Sequence, residues 1–125
     1  MQEYIFLIRN DIDHQADWTD ERLLQFIKDR EAYTARLRED GRLVAAQPLV
    51  KTGVIISRSN DDWNIRPMRG KGEVQVGYYH VLAENMDEAI AMAKLNPEFA
   101  YGTHARIEIR PVRNGERDAG NVRQK

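Results

Sequence analysis

The stretch Gly77-Tyr-Tyr-His-Val-Leu-Ala-Glu-Asn-Met-Asp-Glu-Ala-Ile-Ala-Met-Ala-Lys-Leu-Asn-Pro97, followed by His104-Ala-Arg-Ile-Glu-Ile-Arg-Pro111, decides the fold. It reads as strand, helix, strand, the second half of a split βαβ unit. The first strand, Gln75 to Ala83, sets Val76, Tyr78 and Leu82 against Tyr79 and Val81, so it is apolar on both faces. Asn85 or Asp87 caps a helix that runs to about Leu95, and Pro97 ends it. The last strand alternates, with Ala105, Ile107 and Ile109 inward and Arg106, Glu108 and Arg110 outward.

The chain before it repeats the same grammar. Tyr4 to Ile8 is a second strand apolar on both faces, and Asn10 to Asp17 is a polar loop. Thr19 is a good N-cap, Asp20 and Glu21 suit the first turn, and Gly41 stops the helix after Asp40. Leu43 to Gln47 and Gly53 to Arg58 read as strands around a bend at Pro48. Ser59-Asn-Asp-Asp62 is a turn, and Trp63 to Pro67 returns from it as a hairpin arm. Arg69-Gly-Lys-Gly72 reads as a flexible loop, since it lacks the strand, glycine spacing and helix of a nucleotide cradle.

The order is therefore β-α-β, hairpin, β-α-β, an α+β ferredoxin-like fold with an extra hairpin. One domain over residues 1–112 and a flexible polar tail over 113–125 are expected. In that arrangement the two strands that are apolar on both faces are central. Helices cover only one face of such a sheet, so a second copy is expected on the other, giving a sheet-to-sheet homodimer in the manner of dimeric α-β barrels.

Charge narrows the function classes. A net charge of −1 with both signs interspersed argues against nucleic acid as partner, because phosphate binding favours a basic face. The absence of cysteine excludes disulfides, thiolate zinc sites and cysteine nucleophiles, and is compatible with the cytoplasm. The opening Met1 to Arg9 has no basic flank and too short an apolar run for a signal peptide or membrane span. No cofactor is implied. Asp11, Asp13, His14 and Asp17 cluster in one loop, but without a calcium-loop glycine or glutamate, and no histidine pair has zinc spacing. No metal site is expected, and the loop reads as solvated.

The chain resembles the YCII-related family, in particular its DGPF-type branch. The resemblance covers about residues 4 to 112. It is carried by Tyr4-Ile-Phe-Leu-Ile8, Tyr33-Thr-Ala-Arg-Leu-Arg-Glu-Asp-Gly-Arg-Leu43, Gly77-Tyr-Tyr79, Asp87-Glu-Ala-Ile90 and Ile107-Glu-Ile-Arg-Pro-Val112. It implies a dimeric ferredoxin-like fold with a cleft between helix, sheet and partner, and acid–base lyase or isomerase chemistry suspected for some members. Ile65-Arg-Pro-Met68 stands where Asp-Gly-Pro-Phe would be, and only Pro67 survives. The family's proposed catalytic His falls at Glu31, and its Asp at Asn96, which cannot serve as a base. The dyad is not retained as such.

Five residues are the candidate site. Arg30 sits near the middle of the stripe formed by Leu23, Phe26, Ile27, Tyr33 and Leu37, so it either clamps a ligand carboxylate or phosphate, takes an internal or cross-dimer ion pair, or snorkels out to solvent. Glu31, beside it, is a proton acceptor in a cleft or a surface partner of Lys28 or Arg38. His80 is an acid–base group or a hydrogen-bonded core or interface residue. Asn96 and His104 are ligand-binding candidates. Whether the chain is an enzyme stays open. One reading is a small-molecule-binding homodimer without the family's His/Asp chemistry. The other is a lyase or isomerase using Glu31 on a small anionic substrate. A concave pocket holding Glu31 with Arg30 or a histidine would favour the enzyme. Arg30 paired to carboxylates with no cavity beside it would favour a binding or structural role.

Overall fold

Two segments apolar on both faces set up the sheet. A computed structural model describes residues 1–68 and 72–113; the expected glycine-rich loop at 69–72 and the polar tail from 113 lie largely outside the described residues. The elements in order are β1 (Gln2–Asp11), α1 (Asp20–Glu39), β2 (Leu43–Pro48), β3 (Val54–Ser59), β4 (Asp62–Pro67), β5 (Glu73–Ala83), α2 (Met86–Lys94), α3 (Glu98–Tyr101) and β6 (Arg106–Pro111). Four strands form one antiparallel sheet in the order β2-β5-β1-β6, and β3 and β4 pair as a separate two-stranded sheet. The strands read as apolar on both faces, β1 and β5, are the central ones. This α+β arrangement is compatible with a ferredoxin-like fold.

One face of the sheet carries the core. Tyr4, Phe6 and Ile8 of β1 meet Tyr79, Val81 and Ala83 of β5, and Leu37 of α1 with Ala89 and Ala93 of α2 close over them. Ile107 and Ile109 of β6 pack against this cluster, as their alternation required. Phe6, Phe26 and Val81 are among the most enclosed side chains, and emptying such a site costs about 3–5 kcal/mol for a Phe. The opposite face presents Ile5 and Leu7 of β1 beside His80 and Tyr78 of β5, all half-buried.

Local chemistry fixes the helix ends. The Thr19 hydroxyl accepts from the Arg22 amide, Asp20 and Glu21 occupy the first turn, and Gly41 follows the Asp40 cap with φ 73°. Asn85, not Asp87, caps α2 by accepting from the Glu88 amide. Pro97 ends α2 and also starts a turn of helix, α3, because its fixed φ of −59° is already helical. Asn96 stabilises that restart by accepting from the Glu98 amide at 2.9 Å. No helix among the described residues is long and apolar enough to cross a membrane.

Candidate functional site

Helical periodicity lays Arg30, Thr34 and Arg38 along one line of α1, with Glu31 and Ala35 on the next. These five side chains form one wall of a cleft of about 650 Å³ between α1 and the sheet. Ile8 of β1 with Val76, Gly77 and Tyr79 of β5 supply the floor. Ala46, Gln47 and Pro48 of β2 form the far wall, and Asn96 and Glu98 close the end beyond α2. The volume falls within the range usual for small-molecule sites.

The floor depends on Gly77. A Cβ there would stand 3.1 Å from the Gln47 carbonyl oxygen and 3.4 Å from the Pro48 Cα. Only a bare α-carbon lets the edge strand β2 approach β5 this closely. Next to it Val76 occupies a bulge: Ile8 faces Gly77 while Arg9 faces Gln75, so one residue of β5 is unmatched. The bulge is what turns Val76 toward the core and the cleft, whereas Tyr78, two residues on, faces the other side.

Arg30 is half-buried and lies over the Phe26 ring, 5.5 Å from its centroid. It makes no ion pair among the described residues, and neither does Glu31, which is exposed at the rim. Tyr79 lies on the floor. Burial raises its hydroxyl above the usual phenol range and Glu98 adds to this, while the Arg30 guanidinium pulls it back. Thr34 gives its proton to the Arg30 carbonyl at 2.9 Å, so in the 3.3 Å contact between the two hydroxyls Tyr79 is the donor. That contact is long for O–H···O. Deeper in, Tyr33 donates to the Met92 carbonyl at 2.9 Å, and burial, reinforced by Tyr79, raises its hydroxyl far above the usual range.

At the closed end a polar group lies inside the protein. The Glu98 side chain is only 9% exposed and accepts from the fully buried Asn10 amide at 3.0 Å. Behind it the His14 ring, 6% exposed, brings Nε2 to 3.7 Å from the same carboxylate oxygen. His14 Nδ1 lies 2.9 Å from the Asp11 carbonyl oxygen, an acceptor only, so Nδ1 carries a proton. Nε2 has no hydrogen-bond partner among the described residues, and neither does the Asn96 amide nitrogen. The loop read as solvated thus buries its histidine against Trp18, ring centroids 5.8 Å apart.

The structure brings Arg30, Glu31 and Asn96 together on the cleft. It does not bring the histidines there. His80 lies on the opposite face of the sheet with Nε2 2.7 Å from a Glu3 carboxylate oxygen. His104 is exposed before β6, its Nδ1 2.6 Å from an Asp11 carboxylate oxygen. Sequence reading missed His14, Glu98 and Tyr79. A glutamate directly after Asn-Pro, at the first position of a restarted helix, was the available signal for Glu98. For His14 it was a lone imidazole in an acidic loop followed by Trp18. Among the described residues no cluster of three or more His, Cys, Asp or Glu could hold a metal ion. No family model matches the chain, and no curated protein sequence is significantly similar to it.

Proposed function

We propose that the chain is a small-molecule-binding protein of the YCII-related type that works as a homodimer, its cleft taking a small carboxylate-bearing ligand. The observation that carries this is Arg30. A guanidinium half-buried in a cleft wall, with no carboxylate paired to it among the described residues, is a ready clamp for an anion. Arg38 lines the same wall two turns further on and adds positive potential. The apolar floor around Ile8 and Val76 suits the carbon skeleton of such a ligand. The half-buried apolar strip on the open sheet face supports a ferredoxin-like dimer packed sheet to sheet, and a cytoplasmic setting fits a chain without cysteine.

An enzymatic form of this reading is favoured by one further observation: Glu31 and Arg30 share a concave cleft. A lyase or isomerase would hold the substrate anion at Arg30 and pass a proton through a carboxylate beside it.

Thermal denaturation against a panel of aliphatic and aromatic carboxylates tests the binding claim. A carboxylate held at about a hundred times its dissociation constant adds about 2.7 kcal/mol, so the wild type melts several degrees higher. Arg30→Ala removes that rise and Glu31→Gln keeps it. A rise of equal size in Arg30→Ala would refute the clamp.

A further inference from the structure

We infer that Glu98, backed by His14, is the proton-transfer carboxylate of this cleft, acting on an enolisable 2-oxo acid held by Arg30. The inference rests on the carboxylate-binding reading above and names its substrate class and its base. It replaces Glu31 in that role, because Glu31 lies exposed at the rim while Glu98 lines the closed end.

The His14 Nδ1 proton is committed to the Asp11 carbonyl, so in the neutral ring Nε2 is a bare lone pair. That lone pair is buried and faces a buried carboxylate oxygen 3.7 Å away. Two acceptors facing each other in a low-dielectric interior are unfavourable, and one added proton turns them into a hydrogen-bonded pair. The pair is therefore built to receive a proton. Asn10 donates to that same carboxylate oxygen at 3.0 Å, which holds the carboxylate in place. Glu98 also lines the cleft, so the ligand can supply that proton.

The remaining groups fit one chemistry. Arg30 binds the ligand carboxylate. Tyr79, kept protonated by burial and only loosely engaged by Thr34, donates a hydrogen bond to the neighbouring carbonyl oxygen. The C–H bond on the carbon next to that carbonyl breaks and its proton goes to Glu98. The electron pair forms the carbon–carbon double bond of the enolate, and the carbonyl pair moves onto the oxygen facing Tyr79. Reversal returns a proton to carbon, so no co-reactant is consumed. His14 does not touch the ligand. It is a positioning residue whose Nε2, 3.7 Å from the Glu98 carboxylate, can share the proton that arrives there.

The test is solvent deuterium exchange. Pyruvate, 2-oxobutyrate and 2-oxoglutarate are each incubated with the protein in deuterium oxide, and loss of the C3 proton signals is followed by NMR alongside binding by calorimetry. The wild type is expected to bind at least one of them and to exchange it above the buffer rate. Glu98→Gln keeps the binding and loses about a hundredfold or more in exchange rate, while Glu98→Asp recovers part of it. His14→Gln lowers kcat for exchange and leaves KM in place, which a loss of folding would not do. Exchange that persists in Glu98→Gln, or binding to the wild type with none of the bound acids exchanging, overturns the inference and leaves the binding reading standing. If none of the three acids binds, the carboxylate-cleft reading fails first and the inference with it.

Discussion

Tyr33 and Tyr79 couple the interior to alkaline pH. Burial raises both hydroxyls above their ordinary value of 10.0, so the folded chain holds these protons more tightly than the unfolded one. The stability this represents is complete below pH 10, where both states are protonated. It is lost as pH rises above 10, because the unfolded phenols ionise and the buried ones resist. Urea unfolding between pH 8 and pH 11.5 should show a falling midpoint over the upper part of that range. Tyr33→Phe should cost about 1 kcal/mol at neutral pH, since the Met92 carbonyl loses its donor, and should flatten the alkaline decline. A decline as steep as in the wild type would show that the buried phenols are not its source. At this scale the sequence was only partly legible. Arg30 stood out because a cation interrupts an apolar stripe, and the stripe is local. Glu98 and His14 did not, because they meet across 84 residues and neither is anomalous beside its own neighbours.

Elements were more legible, because the signals that end them are local. Thr19, the acidic pair after it and Gly41 bounded α1, and the structure places its cap and its stop there. Three features escaped. Pro97 was read only as a stop, although a proline that ends one helix is equally suited to begin the next. The extra residue at Val76 arises from how β5 must curve against β1, which no single strand encodes. The hairpin was foreseen, but not its separation from the main sheet: Val54, Ile55, Ile56, Trp63 and Ile65 all stand more than half exposed. The contact of β2 with β5 at Gly77 yields a prediction for this scale. Gly77→Ala sets a methyl 3.1 Å from the Gln47 carbonyl oxygen, which costs about 1–3 kcal/mol of overpacking. Hydrogen exchange should quicken at Ala45 and Gln47 of β2 and stay slow at Phe6 of β1. Carboxylate binding should weaken as well, because Gly77 is part of the cleft floor. Unchanged exchange in β2 would mean that the strand shifts without strain.

At the scale of the molecule the open sheet face sets the argument. Leu7 and Tyr78 are directly paired there, Ile5 stands opposite His80, and Leu82 opposite Glu3. Charge surrounds this strip: Glu108 and Arg110 of β6 lie beside Leu7 and Ile5, and Arg9 reaches Glu108 at 3.4 Å. An apolar centre with a charged rim is the anatomy of a protein interface. Helices α1 and α2 are committed to the opposite face, so no long helix of the described residues covers this one. A second copy related by a twofold axis would bury Leu7 and Tyr78 against their own counterparts, since such an interface uses the same patch twice. Light scattering on the purified protein should therefore give twice the chain mass at micromolar concentration. The double substitution Leu7→Glu and Tyr78→Glu places like charges in the centre of that patch, where they lose hydration without gaining a partner. It should give the mass of one chain, with helical circular dichroism unchanged, because neither side chain is part of the core on the other face. Arg30→Ala, on the helix side, should leave the dimer intact and so separate assembly from ligand binding. A double variant that stays dimeric would exclude the sheet face as the interface. The exposed strands β3 and β4, with their apolar side chains on both surfaces, would then be the next place to look.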